Sequence, residues 1–396
     1  MLTFSSLSLL KLSVFLLTLF LLVPQSYAWW IFHWHWHWPW HRATPEPPLD
    51  IFVKKSPVIL VPGDGGSRLL AKLDKTEHVH FYCSRKTKGY YKLWLNQRFL
   101  SMEHWTAGLT YNTTTRRTTN SPGVDIIVPE FGNTTAVESL VSRHIPEFMR
   151  KAMYAEYYIG IVKYLEALGF KKETEIKAAP YDYRKGPNEM EEYYANMTAL
   201  VQETYDVNLF TPVTIVCHSL GCPLLLISLT RKLNRGRTRE NLGIRIVSQK
   251  KLKIEQKTCP SMAYMLPSRH LWLPNETIAM TNHKNYTVAE YEQFFKDINY
   301  TVGYEMYKDN LPYSDTHIKP PEVDFRKSKN PDAKPDILPG PGDGTINQRS
   351  LEVCSRWKRK QKQRVRTKII DKLGHLTMLY DKKVHKIIKK FLTTWW

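Results

Sequence analysis

The chain has 396 residues, 42% of them hydrophobic, which is enough apolar material for one large globular domain or two modest ones. The formal net charge is +20 at pH 7, with the excess concentrated in residues 231–239, 250–257 and 356–368. Because no aromatic-basic RNA module or zinc-finger spacing accompanies these segments, we expect no nucleic-acid partner, and the charge indicates either solvated surface or attraction to an anionic membrane surface.

Residues 1–28 are predicted to be a secretory signal peptide. Lys11 precedes an apolar run, residues 12–23, and Ser26-Tyr27-Ala28 forms a small-x-small cleavage site. The run is shorter than the roughly 20 continuous apolar residues that a membrane anchor needs. We therefore expect a cleaved signal and a mature protein on the secretory route.

Residues 29–50 are predicted to be a linker rich in Trp, His and Pro. His33, His35 and His37 alternate with Trp, so in an extended chain their imidazoles share one face and are able to bind a divalent metal. A low-complexity linker explains the pattern equally well, and we assign no metal site.

Six N-x-[ST] acceptors agree with the secretory route and are expected on surface loops. They are Asn112, Asn133, Asn196, Asn275, Asn285 and Asn299.

Folded structure is expected over residues 51–396 as strands alternating with helices. The strands have continuous rather than alternating apolar runs, which is typical of a parallel sheet covered on both faces, so the fold class is α/β. Predicted strands cover residues 56–63, 124–128, 212–217 and 365–371, with a short one ending at 179; predicted helices cover 157–168, 188–205, 220–233 and 382–391.

Ser219 lies directly between a predicted buried strand and a predicted apolar helix. The surrounding residues, Cys217-His218-Ser219-Leu220-Gly221, resemble the G-x-S-x-G nucleophile elbow with Cys in place of the first Gly. At such an elbow the Leu220 amide can stabilise an oxyanion, and a second donor is expected from the loop Val61–Ser67. The glycines of that loop are also compatible with a simple turn.

A nucleophilic serine of this fold needs an acid and then a histidine further along the chain. Asp343 lies in a tight Gly-flanked turn, Gly342-Asp343-Gly344. His375 lies between the predicted strand 365–371 and the terminal helix, whereas His218 is expected to point away from the nucleophile. We therefore predict that Ser219, Asp343 and His375 form a catalytic triad, and that no cofactor is required.

Several stretches resemble the lecithin:cholesterol acyltransferase family. They span most of residues 56–392: PVILVPGDGGSRLLAKLDK (57–75), GVDIIVPEFG (123–132), AAPYDYRKGPNE (178–189), the Ser219 elbow, GDGTIN (342–347) and LGHLTML (373–379). The resemblance implies an α/β-hydrolase fold and the same triad, with Asp64 and the Leu220 amide at the oxyanion hole. It also implies transfer of a fatty acyl group from a glycerophospholipid to water or a lipid alcohol, by a monomer in the lysosomal lumen or outside the cell.

The resemblance further implies a membrane-docking subdomain over residues 76–122 and a cap region over residues 234–335. Five apolar side chains of the former are expected at a membrane interface, with a buried helix as the alternative. They are Trp94, Leu95, Phe99, Leu100 and Trp105.

Asp64 predicts a dependence on pH. A carboxylate beside a developing oxyanion repels it, whereas a protonated carboxyl group can donate a hydrogen bond, and acid pH or burial favours the protonated form. We hypothesise that activity rises toward acid pH.

The five cysteines leave at least one thiol unpaired. We interpret Cys217 and Cys222 as small buried apolar residues. Cys354 resembles a family half-cystine whose partner lies in a strand before Asp343 that is expected to be absent. Cys83 resembles another, and its expected partner position, around residues 103–105, holds no Cys.

The stretch between Ser219 and Asp343 departs from the family pattern. Only residues 243–248 predict a strand there, and residues 318–341 are polar and Pro-rich, so one or two strands of the sheet are expected to be absent. Three alternatives stay open: a divergent active enzyme, an inactive lipid-binding relative, and a shortened isoform or gene model.

Overall fold

The computed structural model describes residues 55–77, 84–94, 108–141, 146, 150, 155–230, 257–267, 272–281, 283–313, 322–324, 336–338, 341–359 and 364–393. The α-helices are α1 Thr135–Glu138, α2 Ile159–Ala167, α3 Glu191–Val207, α4 Gly221–Thr230, α5 Pro260–Tyr264, α6 Tyr291–Asp297, α7 Thr301–Asn310, α8 Gln348–Leu351 and α9 Lys382–Thr393. The strands are β1 Val58–Val61, β2 Leu69–Leu73, β3 Tyr91–Trp94, β4 Leu109–Asn112, β5 Arg117–Asn120, β6 Val124–Ile127, β7 Ile176–Ala178, β8 Thr214–Cys217, β9 Thr277–Met280, β10 Asn285–Thr287, β11 Glu322–Asp324 and β12 Asp336–Leu338.

A parallel sheet with the order β7-β1-β8 lies between two layers of helices. All four residues of β1 are fully buried. Ile59 and Val61 pack into a core shared with α3 and α4, whereas Val58 and Leu60 pack into a second core with α2 and α9. The continuous apolar run therefore marks a strand covered on both faces, and the α/β class is confirmed.

Strands β7 and β8 are the two edges of this sheet in the described part of the chain. The residues of β7 are buried, whereas the four residues of β8 are half-buried. The predicted strand over residues 243–248 lies outside the described residues. Strands β11 and β12 fall within the Pro-rich stretch before Gly342, but they belong to a separate sheet of order β10-β9-β11-β12, in which β11 pairs with β9 and β12 pairs with β11.

The helices α2, α3, α4 and α9 and the strands β1, β7 and β8 confirm the sequence predictions with shifted ends. Strand β6 is also confirmed, but it pairs antiparallel with β2 in a sheet of order β3-β2-β6 rather than joining the parallel sheet. The predicted strand 365–371 is wrong: this segment pairs with no described strand, and Ile369 is 68% exposed. Alternating apolar and basic residues form a strand only where a neighbour accepts the pairing.

The hairpin β4–β5 is tied to helix α7 by charged groups. The Arg116 guanidinium forms ion pairs with Glu305 and Asp309, and the Tyr111 hydroxyl donates to the Asp309 carboxylate. Near the turn of the hairpin, the Thr118 hydroxyl donates to Glu189 at 2.5 Å. These contacts join the hairpin both to α7 and to the segment that leads into α3.

Five of the six predicted glycosylation acceptors are exposed; Asn133 is half-buried and accepts hydrogen bonds from Thr135. The expectation of loops is wrong for Asn112, Asn196 and Asn285, which lie in β4, α3 and β10. Exposed positions in regular elements also present an amide to solvent.

Among the described helices, none combines the length and apolar character needed to cross a membrane.

Candidate active site

Ser219 lies on a sharp turn between β8 and α4. Its φ is 52°, a left-handed conformation that is uncommon for a residue with a side chain. The turn brings Gly221 against β1, where an added Cβ would lie 2.2 Å from the Pro62 carbonyl oxygen and 2.8 Å from that of Val61. Only glycine fits this approach, which explains the glycine two positions after Ser219.

The Ser219 hydroxyl oxygen is buried and has no hydrogen-bond partner among the described residues. A buried hydroxyl without a partner loses the hydrogen bonds it would make to water, which costs about 1–3 kcal/mol. Such a group is typical of a site that is completed by a substrate.

The loop after β1 lies directly beside Ser219. A Cβ at Gly63 would lie 2.5 Å from the Ser219 Cβ, so the two backbones approach as closely as glycine allows. The loop turns through a hydrogen bond from Gly66 N to Gly63 O at 3.0 Å, with Gly65 at a φ of 62°. Asp64, in the middle of this turn, is 3% exposed.

Leu220 follows Ser219 and is also buried. It precedes the first turn of α4, where backbone amides have no partner within the helix. The two residues predicted at an oxyanion hole, Asp64 and Leu220, therefore lie on the two loops that meet at Ser219.

Asp343 and His375 are in direct contact. The His375 Nδ1 lies 2.6 Å from the Asp343 Oδ2, and the His375 backbone N donates to the Asp343 carbonyl at 3.0 Å. The other carboxylate oxygen accepts from the amides of Thr345 and Ile346 at 3.0 and 2.7 Å. The carboxylate is thus held by three contacts, one to the His375 ring and two to backbone amides, and it in turn orients the imidazole ring.

Burial of the Asp343 carboxyl raises its pKa, but the His375 hydrogen bond and charge and the two amides outweigh burial. The pKa of Asp343 therefore lies below its ordinary value. The carboxylate remains ionised at moderately acid pH, so it can hold the proton on His375 Nδ1 and leave Nε2 as the basic atom.

His218 connects the elbow to the other two loops. Its Nε2 lies 3.0 Å from the His375 carbonyl oxygen and its Nδ1 lies against the Tyr157 hydroxyl, which accepts a hydrogen bond from Gly63 N at 2.9 Å. The rings of His218 and His375 are 4.4 Å apart at their centroids. Sequence reasoning missed Tyr157, because nothing local to residue 157 indicates a partner 61 positions later.

Cys217 and Cys222 form a disulfide across the elbow, with their Cα atoms 4.9 Å apart. The interpretation of both as unpaired apolar residues is therefore wrong. Cys217 is the last residue of β8 and Cys222 lies in the first turn of α4, and the sharp elbow between them brings the two side chains together. Their positions on either side of the predicted elbow were the signal in the sequence that could have indicated the disulfide. Cys354 forms no disulfide with any described residue, and Cys83 lies outside the described residues.

The interfacial placement of Trp94 is wrong, and so is its alternative of a buried helix. Trp94 ends strand β3, is 3% exposed, and donates from its ring nitrogen to the Gly65 carbonyl at 2.8 Å. It also packs against Tyr183. Its amphipathic side chain supports the loop beside Ser219 instead of meeting lipid; Leu95, Phe99, Leu100 and Trp105 lie outside the described residues.

Within the described ranges, no three His, Cys, Asp or Glu side chains are arranged to hold a metal ion. His33, His35 and His37 are not among the described residues.

Comparison with known proteins gives consistent results. The family model of lecithin:cholesterol acyltransferase matches residues 90–236. The chain is 32% identical to a phosphatidylcholine-sterol acyltransferase of Gallus gallus over 414 aligned positions, covering 92% of this chain and 96% of the relative. It is 30% identical to a lysosomal phospholipase A and acyltransferase of Mus musculus over 380 positions, covering 85% and 90%. The corresponding Homo sapiens protein is 30% identical over 379 positions, covering 85% and 90%.

Proposed function

The chain belongs to the lecithin:cholesterol acyltransferase family, and on that premise we propose that it moves a fatty acyl group from a glycerophospholipid to water or to a lipid alcohol. The relatives are named for phosphatidylcholine-sterol acyl transfer and for phospholipase A and acyltransferase activity. The observation that carries the proposal is the Asp343–His375 pair, joined through His218 to a serine on a left-handed elbow.

In the proposed reaction, His375 Nε2 removes the proton of the Ser219 hydroxyl as the oxygen attacks the ester carbonyl. His375 then gives that proton to the departing lysophospholipid oxygen, which leaves an acyl-serine. Water or a lipid alcohol attacks the acyl-serine with the same histidine as base. Asp343 keeps the ring oriented and stabilises its positive charge through the 2.6 Å contact.

The oxyanion is stabilised by two loops. One donor is the Leu220 amide at the start of α4, and the other comes from the loop after β1. Because the Gly63 amide of that loop already donates to Tyr157, we assign the second donor to the protonated carboxyl group of Asp64. Removing one such donor typically costs about 10²–10³-fold in kcat.

We propose that the protein works at a membrane surface in the lysosomal lumen or outside the cell, as a monomer. The predicted signal peptide supports secretion, and the basic segments support attraction to anionic lipid. The proposed docking subdomain, residues 76–122, and cap, residues 234–335, are linked by the pairs of Arg116 with Glu305 and Asp309. These pairs support direct contact between the two proposed regions.

Turnover on lipid vesicles tests this function. Purified protein is added to phosphatidylcholine vesicles with or without a sterol or ceramide, and lysophospholipid, free fatty acid and acylated alcohol are measured. The proposal expects acyl release, absent in Ser219→Ala, and transfer to at least one alcohol. Vesicle binding without any acyl release would overturn it and favour the inactive lipid-binding alternative.

A further inference from the structure

His218 and Tyr157 form a buried relay that is separate from the acid-base pair. His218 is 4% exposed and Tyr157 is 1% exposed. Tyr157 lies two residues before helix α2 and His218 directly follows β8, so the relay joins two segments that are distant in the sequence.

The direction of each hydrogen bond in the relay follows from the atoms involved. The His375 carbonyl oxygen can only accept, so the His218 Nε2 carries a hydrogen and donates to it. Burial, with a smaller effect of His375, lowers the pKa of His218 to about 3, so the ring is neutral and Nδ1 has a lone pair. Nδ1 therefore accepts from the Tyr157 hydroxyl, and the Tyr157 oxygen accepts from Gly63 N.

The relay ends on the two groups whose position relative to Ser219 matters most. One end holds Gly63, whose backbone is in close contact with Ser219. The other holds the carbonyl of His375, the residue whose side chain contacts Asp343. His218 also precedes Ser219 directly in the chain. It therefore links the elbow to the loop that contains Gly63 and to the segment that contains His375.

We propose that His218 is a positioning residue for acyl transfer, which sets the distance between Ser219 and the His375 imidazole by holding the His375 backbone carbonyl. The inference rests on the proposed function. A displacement of about 1 Å at a reacting group can cost about 10²-fold in rate, so loss of this single hydrogen bond is expected to slow the serine chemistry without changing lipid binding.

Two substitutions separate the two ring nitrogens of His218. In His218→Gln the side-chain amide reaches the position of Nε2 and can still donate to the His375 carbonyl. In His218→Asn the shorter amide reaches only the position of Nδ1, so the Tyr157 contact is retained and the His375 contact is lost. The pair differs by one methylene group and by which hydrogen bond survives.

The control is a buried histidine with an equivalent contact elsewhere. His385 in α9 is 7% exposed, and its Nε2 lies 2.9 Å from the Leu379 carbonyl oxygen. His385→Asn removes a similar hydrogen bond without touching Gly63 or the His375 carbonyl. A general loss of stability therefore affects it as well, whereas loss of positioning does not.

The test is the second-order rate constant for covalent labelling of Ser219 by a fluorophosphonate, with full-length protein below the melting temperature of every variant. We expect His218→Asn to be slower than the parent by about 10–100-fold, and His218→Gln and His385→Asn to lie within about fivefold of it. On vesicles the loss in His218→Asn should fall on kcat, with KM within about twofold.

Equal labelling rates for His218→Asn and His218→Gln, whether both fast or both slow, would overturn the positioning role. Absence of labelling in the parent is a different result, because it removes the proposed function itself. The parent therefore distinguishes failure of the function from failure of the inference.

Discussion

The Asp343 carboxylate contacts the His375 ring at 2.6 Å although 32 positions separate the two residues. We predict that Asp343→Asn lowers kcat by about 10³–10⁴-fold, because an amide does not hold the required proton on Nδ1. Vesicle turnover measures this loss. The Asn side-chain oxygen can still accept from the Thr345 and Ile346 amides, so the far-UV circular dichroism should be unchanged.

The control for this substitution is Asp371→Asn, an exposed carboxylate four positions before His375. It should keep at least half of the parental kcat. An Asp343→Asn protein as active as Asp371→Asn would contradict the assignment of Asp343.

Gly221→Ala tests the close approach at the elbow. The added methyl group would lie 2.2 Å from the Pro62 carbonyl oxygen, and neither backbone can move away without distorting β1 or α4. We expect the free energy of unfolding to fall by about 1–3 kcal/mol, measured by urea denaturation. Gly89→Ala is the matched control, since its methyl group meets nothing within 4 Å, and it should change stability by less than about 0.5 kcal/mol. Equal effects of the two would show that the contact is unimportant.

Asp64→Asn tests the predicted acid dependence. We expect the parent to become more active as pH falls, because a protonated Asp64 donates to the oxyanion whereas the carboxylate repels it. Asparagine donates a hydrogen bond at every pH, so the activity of the variant should no longer rise as the pH falls. The hypothesis fails if Asp64→Asn retains the same acid optimum as the parent.

His218 predicts how stability depends on pH. Its pKa falls from 6.5 in the unfolded chain to about 3 in the folded protein, chiefly because of burial, with Tyr157 and His375 as the groups that face the ring. Between these values the unfolded chain binds a proton that the folded protein does not. Stability contributed by the neutral ring is therefore complete above pH 6.5 and is lost as pH falls toward 3.

Replacing His218 by Gln removes this titration. From pH 6.5 to 4 the free energy of unfolding of the parent should fall more steeply than that of His218→Gln, by up to about 1.4 kcal/mol per pH unit. Urea denaturation at several pH values gives both curves. Parallel curves would mean that His218 is protonated in the folded protein.

The local parts of the site could be predicted from the sequence. Ser219 follows an apolar strand and begins an apolar helix, Asp343 lies in a Gly-flanked turn, and His375 precedes a terminal helix. Each of these signals is complete within about ten residues. The continuous apolar run of β1 likewise predicted its burial on both faces.

Features that depend on distant neighbours could not be predicted. A tryptophan beside apolar residues looks the same in sequence whether it meets lipid or, like Trp94, the carbonyl of Gly65. Residues 365–371 have a strand-like composition, but pairing depends on a neighbouring strand that their own sequence does not contain. The contact of His218 with Tyr157 likewise appears only once the fold has brought α2 and β8 to the same end of β1.

Ser219 is tested most directly as the nucleophile by site-specific capture with a fluorophosphonate, with the modified peptide identified by mass spectrometry. We predict a covalent adduct on Ser219 in the parent protein and no adduct at this peptide in Ser219→Ala. A folded parent that is not modified at Ser219, or a Ser219→Ala protein that is labelled to the same extent as the parent, would contradict the role of Ser219 as the nucleophile.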